Sequence, residues 1–582
     1  MRKGLVVLII LLLAISAGAY VYFYQPFNQP KAIESLLPSD TVSMLRVCEL
    51  KKQIEQFKHS RLGRSLAGID VARLLDAMEI PPHQRDDFLR KLETLKQTAE
   101  SPWLDTLFGQ DVAVALQRIT FAPDGLQEPD LQTLLDSVTI IARPKQPTRV
   151  LESLQSIFAT QQVATATETY QQWKIHAIAL EGDATAYYTL VDGAMIAGFS
   201  AAPVKRCLDQ SLNESTSLLH APAYQKHSAD LFKSGKTDLL AFADVADILR
   251  TLGETVDHFN EDIEQRKILH AQIDQFRGIE TLNLTGYDDG SPLITYKMVV
   301  GFDRQQMSPK MTQITRFTPT ANPTLKRIPA NVLLYSWQNN FDLASYWAEF
   351  QENPQISLET VQDIQSTFET NMGLTLEELL QALGTQAGLL INDINTGGMF
   401  PMPELALFIE VKQPEIIDQL IKTQASQYNF ALQTEPYKAT VMNYTVLPFG
   451  DNLSPAYTMA DGFCTIALNR MLLKTMFDTE GSGALTGQPN FQAVDQGLTA
   501  KNNQVFYMNP QGLLDKTRQT ISWAMAWMAM TKPDDAKRAQ QIITLGIDPL
   551  IDGLSMIKAV GGRTYIEDDS VHSDTQVLLD RS

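Results

Sequence analysis

Apolar residues in this chain fall into short alternating runs interleaved with helical periods, and the succession occurs twice. Residues 186–208, AYYTLVDGAMIAGFSAAPVKRCL, read as an apolar run, Asp-Gly, a second apolar run and an amphipathic helix. Residues 455–477, PAYTMADGFCTIALNRMLLKTMF, read the same way. Tyr188, Thr189, Asp192 and Gly193 recur as Tyr457, Thr458, Asp461 and Gly462. Asp-Gly between apolar runs predicts a hairpin closed by a two-residue type I′ turn, since both central positions need positive φ.

Outward from this anchor the two halves keep step. The first copy opens at Pro38, where LPSDTVSMLRV predicts a strand and residues 49–57 a helix; the second opens at Pro329, where IPANVLLYSW predicts a strand and residues 341–350 a helix capped by Asp342. Residues 63–99 lengthen the first copy with a charged stretch of helical period. TLFGQDVAVAL and QALGTQAGLLI predict a helix running into a strand, with Gly109 and Gly384 at the helix end. SVTIIARPKQPTRVLESL and LALFIEVKQPEIIDQL share Lys-Gln-Pro, with the proline opening a helix. LLHAPAYQ answers LTGQPNFQ, and TDLLAFADVADILRTL answers NQVFYMNPQGLLDKT, with Asp244 and Asn509 as N-caps. Each copy closes on strands, at 279–287 and 293–302 in the first and at 554–560 and 572–579 in the second. DRQQMSPKMTQITRFTPTANPTLKR, residues 303–327, is polar, proline-bearing and aperiodic, and reads as a linker.

The N-terminus is different in kind. Met1, Arg2 and Lys3 precede GLVVLIILLLAISAGAYVYFY, an uncharged run long enough to cross a bilayer at about 20 residues. Positive charge before the run places the N-terminus in the cytoplasm and the bulk of the chain outside it: an inner-membrane, single-pass, periplasmic arrangement. Ala17-Gly18-Ala19 offers a competing signal-peptidase site. The aromatic run from Tyr20 to Tyr24 extends the apolar stretch like an interfacial belt and favours an uncleaved anchor. The predicted fold class is therefore α+β, internally duplicated, with two similar, mainly antiparallel sheet-plus-helix domains after one N-terminal transmembrane helix. Residues 1–30 form the anchor and spacer, 31–302 the first domain, 303–327 the linker and 328–582 the second domain.

At 582 residues, 44% hydrophobic and 20% charged, the chain has apolar material for sizeable cores. Its formal charge of −19 argues against nucleic acid as a partner. Cys48, Cys207 and Cys464 are too few and too isolated for a disulfide framework. Cys207 falls opposite Met476 and Cys464 opposite Met195, so these read as core thiols.

Chemical signatures are sparse. HExxH, CxxC and EF-hand patterns are missing, and His220 with His227 and His258 with His270 lie at no ligand spacing. DINTGG, residues 393–398, lacks the later glutamate of a calcium loop. EGSGALTG, residues 480–487, lacks the Lys-Ser/Thr of a phosphate loop. No GxSxG elbow occurs. Neither catalytic residues, nor a cofactor, nor a metal site is assigned.

What remains is a difference between the copies. Residues 521–530, ISWAMAWMAM, stand where the first copy has VDHFNEDIEQ. Trp523, Trp527 and Met530 share one helical stripe, and Ile521, Ala524, Met525 and Met528 another. An all-apolar helix must be covered by its own protein, a partner or lipid. Trp523, Met525, Trp527, Met528 and Met530 are therefore the candidate partner- or ligand-binding residues, against the plainer reading that both stripes are core.

The openings LPSDTVSMLRV and IPANVLLYSW, behind a single N-terminal anchor, resemble a family of uncharacterised bacterial membrane-anchored envelope proteins, a domain of unknown function with proline-led strand-helix repeats. The resemblance implies location and architecture and carries no site residues. The function expected is a membrane-tethered, extracytoplasmic binding or assembly protein, touching the membrane through its N-terminal helix and engaging an envelope protein partner or an apolar ligand. The alternatives are a periplasmic carrier of a lipid or other apolar ligand, which predicts a strand-lined apolar cavity, and an envelope hydrolase.

Overall fold

The computed structural model describes residues 32–100, 110–119, 131–144, 165–179, 185–231, 237–259, 262–353, 356–398, 400–447, 453–480 and 483–581. The predicted transmembrane segment, Gly109 and the Lys145 to Pro147 motif lie outside these residues. Among the described residues no helix is long and apolar enough to cross a membrane.

The chain is α+β and forms two compact units. Unit 1 comprises Met1–Ala67, Glu79–Asp289 and Tyr296–Thr312; unit 2 comprises Gly68–Met78, Gly290–Thr295 and Gln313–Ser582. Two segments of the predicted first domain, Gly68–Met78 and Gly290–Thr295, thus group with unit 2. One of them contains the helix Val71–Ala77, part of the charged stretch that lengthens the first copy.

In unit 1 the strands are β1 (Thr41–Cys48), β2 (Asp111–Gln117), β3 (Val138–Arg143), β4 (Thr165–Tyr170), β5 (Trp173–Ala179), β6 (Thr185–Val191), β7 (Ala194–Gly198), β8 (Leu239–Asp244), β9 (Ile279–Tyr287) and, from Tyr296 on, β10 (Leu293–Phe302). They lie in the order 4-5-6-7-3-2-1-8-9-10. Unit 2 has β11 (Leu334–Gln338), β12 (Leu383–Asn395), β13 (Met402–Val411), β14 (Gln433–Tyr437), β15 (Thr440–Tyr444), β16 (Ala456–Ala460), β17 (Phe463–Ala467), β18 (Gln504–Met508), β19 (Ile557–Ile566) and β20 (Ser570–Leu579). Their order is 14-15-16-17-13-12-11-18-19-20, the same path advanced by ten. Every pair whose register is described is antiparallel.

The helices that matter below are α1 (Leu50–His59), α2 (Ala201–Leu212), α3 (Val245–Phe259) and α4 (Ile263–Asp274) in unit 1. In unit 2 they are α5 (Leu343–Glu352), α6 (Arg470–Thr479), α7 (Pro510–Thr531) and α8 (Pro533–Ile542). Caps fall where the sequence puts them. The Asp342 carboxylate accepts from Ser345 N–H at 3.3 Å, Asp244 from Asp247 N–H at 2.9 Å and Asn509 from Gly512 N–H at 3.1 Å. Both Asp-Gly turns have two positive φ values, 50° and 74° at Asp192 and Gly193, and 51° and 79° at Asp461 and Gly462.

Each unit closes a core between one sheet face and its helices. In unit 1, Met44, Ile141, Ile196 and Phe242 meet Val204, Cys207 and Leu208 of α2. In unit 2, Tyr335, Trp337, Phe408 and Val505 meet Leu472, Leu473 and Met476 of α6. Burial pushes the thiols of Cys207 and Cys464 up to about 12, which makes them inert packing groups.

Polar side chains repeat as faithfully as the cores. Lys205 pairs with Glu168, and Lys474 with Glu435, each at 2.6 Å. Tyr170 donates to Asp209 at 3.1 Å, as Tyr437 donates to Asp478 at 2.8 Å. Gln225 and Gln492 donate to the carbonyls of Leu219 and Thr486, six residues back, holding the turn before their helices. Thr189 and Thr458 donate to the neighbouring strand, at Lys174 and Val441. The repeated polar residues therefore fasten helix to strand, strand to strand and turn to helix.

One expectation is corrected. Gly384 ends no helix: Leu376–Ala382 stops before an extended Leu383, and Gly384 is the second residue of β12. A Cβ there would lie 2.3 Å from the Glu410 carboxylate, which accepts from Thr385 and Gln386 N–H at 3.0 and 3.1 Å. Close approach of a carboxylate, and not a left-handed cap, calls for the glycine. Residues 303–327, read as the linker, are pinned along part of their length. Ser308 and Thr315 are buried, and Asn339 and Asn503 donate their amides to the carbonyls of Thr318 and Phe317. Thr320 exchanges backbone bonds with Asn502. Side-chain amides substitute for a partner strand, which no periodicity could announce.

Candidate functional site

Where repeated residues serve the fold, function is sought in what the copies do not share. The largest divergence follows β8 and β18, which lead into the equivalent helices α3 and α7.

In unit 2, α7 is capped by Asn509 and ends at Lys532, and Pro533 then opens α8, which packs back along it. Near its start, Gln511 donates to the Ser555 carbonyl at 2.9 Å, and two turns further on Arg518 pairs with Asp552. These contacts bridge α7 to the chain leading into β19. Further along, the two predicted stripes separate. Ile521, Ala524, Met525 and Met528 are half-buried, whereas Trp527 is 54% and Met530 78% exposed. Trp523, half-buried, lies with its ring centroid 6.0 Å from that of Phe400, itself 51% exposed. The sequence-derived candidates therefore divide: Trp523, Trp527 and Met530 gather with Phe400 into an apolar patch at the closed end of a helical hairpin, and Met525 and Met528 lie on the half-buried side. Phe400 was not singled out by sequence, because it comes from the connection between β12 and β13.

In unit 1 the copy alignment puts Ala246 in place of Gln511 and Gly253 in place of Arg518. Both bridges are thereby lost, and a cleft of about 640 Å³ opens between α3, α4 and the start of β9. Its floor is apolar, with Leu249, Ile273 and Ile279. Its rim is charged but internally paired. Arg250 bonds Asp247 and Glu254, and Arg277 lies 3.3 Å from Asp274. Across the cleft the His270 ring faces Gly253, where a Cβ would sit 3.7 Å from it, and His270 Nε2 lies 2.7 Å from an Asp257 oxygen on α3. Although burial works against ionisation of Asp247, its bonds to Arg118 and Arg250 hold it below the usual carboxylate range. The cleft can hold a small amphipathic molecule, and α3 and α4 supply more of its lining than the start of β9, where the carrier alternative expects strands.

Among the described residues no group of three or more His, Cys, Asp or Glu is placed to hold a metal ion. Residues 393–398 lead out of β12 into the turn before Phe400, where Asn395 bonds Gly397 N–H and Lys516 pairs with Asp393 at 2.6 Å.

A match to a protein family covers residues 90–547, and that family is described as "Protein of unknown function (DUF3352)". The matched stretch takes in most of both units. No curated protein and no solved structure matches the chain.

Proposed function

The chain belongs to the DUF3352 family, and on that footing we propose that it is a binding protein of the bacterial cell envelope, tethered by its N-terminal segment and working through the apolar end of α7. The proposal includes the finer architecture, two copies of one domain behind a membrane anchor. The single observation that carries it is the exposure of Trp527 and Met530 beside Trp523 and Phe400. Large apolar side chains clustered at a surface favour association, and tryptophan supplies a disproportionate share of interface energy. Methionine adapts to irregular partners. The occupant we infer is the apolar face of another envelope protein.

A photo-crosslinking residue placed at Met530 in intact cells tests this. Discrete protein adducts that disappear when Trp523→Ser and Trp527→Ser are added support a protein partner. Adducts to lipid alone would replace the partner with a bilayer face. Loss of cooperative melting in the double variant would return the helix to the core.

A second reading, the carrier of an apolar ligand, rests on the unit 1 cleft, whose lining is mostly helical and only in part the strand lining that reading expects. Native mass spectrometry of gently purified protein, set against the denatured mass, distinguishes it: a reproducible adduct removed by Gly253→Arg supports a cleft ligand, and a ligand-free protein opposes it.

A further inference from the structure

The second large difference between the copies lies at one end of the unit 1 core. Arg46 on β1, Asp111 on β2 and Arg143 on β3 share one face of the sheet, since Cys48 pairs with Asp111, Asp111 with Arg143, and Arg46 with Ala113 two residues along. In unit 2 the matching positions are Trp337, Gln386 and Glu410. Apolar and carboxylate groups have thus been exchanged for two guanidinium groups at the margin of a hydrophobic core.

The two arginines are not treated alike. Arg46 donates from Nη1 to Glu34 and from Nη2 to Asp111, each at 2.8 Å. Burial disfavours its charge, but these two carboxylates more than offset that. Arg143 is only 8% exposed, and its Nε and Nη2 are buried without a hydrogen-bond partner among the described residues. The Nε of Arg46, in the same cluster, is also unpartnered. Burial lowers the Arg143 pKa, with Asp111 acting in the opposite direction. A buried guanidinium whose donors are unmet is costly, because water has been removed and no described group replaces it.

Which donors are left matters. Nε–H and the adjacent Nη2–H are parallel and form the side-on fork with which arginine grips two oxygens of one anion. In unit 2 a carboxylate occupies the matching position and is held by the chain itself: Glu410 accepts from Thr385 N–H, Gln386 N–H and the Gln386 amide. We propose that Arg143 is an anion-binding residue, whose Nε/Nη2 fork takes a small two-oxygen anion, a carboxylate or a phosphate-type oxyanion, at the rim of the unit 1 core.

Thermal unfolding of the full chain at constant ionic strength, titrated separately with sodium phosphate and sodium acetate, tests this. Binding to the native state alone raises Tm with the logarithm of anion concentration, here by a few °C at about a hundredfold excess over Kd. Arg143→Met should abolish the rise, Arg143→Lys should reduce it by losing the fork while keeping the charge, and Lys537→Met on the exposed face of α8 should leave it intact. A response to both anions supports the shared two-oxygen chemistry, and a response to acetate alone assigns the fork to a carboxylate such as a peptide terminus. Should Arg143→Met fail to fold, Arg143→Lys and calorimetric titration of the wild type carry the test. A wild type indifferent to both anions, or an Arg143 variant that responds as the wild type does, overturns the proposal.

Discussion

The α3–α4 pair of unit 1 and the α7–α8 pair of unit 2 leave equivalent strands, start from equivalent caps, and come to opposite results. One opens a cleft and the other bridges it; one carries the polar VDHFNEDIEQ where the other carries ISWAMAWMAM. The strands beneath them keep the same order throughout. A sheet strand is paired on both sides and packed on a face, so a change in one strand disturbs its neighbours. A helix laid over the sheet end meets fewer constraints, and this is where the copies have diverged.

The largest effect should come from the shared layer. Leu473 on α6 and Val204 on α2 are fully buried at matching positions. Leu473→Ala should cost about 2–5 kcal/mol and Val204→Ala less, both measured by denaturant unfolding. A negligible loss at Leu473 would break the equivalence of the cores.

Next come the turns. Gly193→Val and Gly462→Val should each cost about 1–3 kcal/mol, entirely from backbone strain, because an added Cβ meets nothing within 4 Å at either glycine. Matching shifts in the two variants would support the equivalence, and a shift in one alone would contradict it.

Smaller, and more pointed, is an exchange of the bridging residues. Gln511→Ala with Arg518→Ala should open unit 2 at a cost of about 1 kcal/mol, the worth of one hydrogen bond and one exposed ion pair. Ala246→Gln with Gly253→Arg should fill the unit 1 cleft and stabilise the helix by up to about 1 kcal/mol, since glycine is a poor helix former. Strong destabilisation by the second pair would mean that the cleft lacks the room assigned to it.

The smallest effect on stability is expected at the patch. Trp527→Ser and Met530→Ser should each change stability by less than about 0.5 kcal/mol, because both side chains are already largely in water. A cooperative melt at the wild-type temperature, with crosslinking lost, separates surface from core.

The strands, hairpins and caps were legible because each depends on neighbours in sequence: alternation, Asp-Gly, and Asp or Asn one step before a helix. Gly384 was misread because its reason, the Glu410 carboxylate, arrives from the next strand. The ionic cluster was invisible for the same cause, since residues 46, 111 and 143 meet only through strand pairing and Glu34 reaches Arg46 from the turn ahead of β1. One local signal was available: Arg46 occupies the phase where the second copy places the buried Trp337. The cleft was half legible, as Ala246 and Gly253 stand opposite larger residues, but its depth depends on where α4 lies.

The exchange of Gly68–Met78 has a consequence in time. Its Leu74 sits against Gly546 within a short π-helical turn, Ile543–Ile547, where an added Cβ would lie 3.1 Å from a leucine methyl. The ribosome makes Leu74 early and Gly546 near the end. At about 5–20 residues per second this apolar segment waits on the order of 20–100 s for its seat to be synthesised. Unit 2 is therefore begun by the first part of the chain and completed by the last.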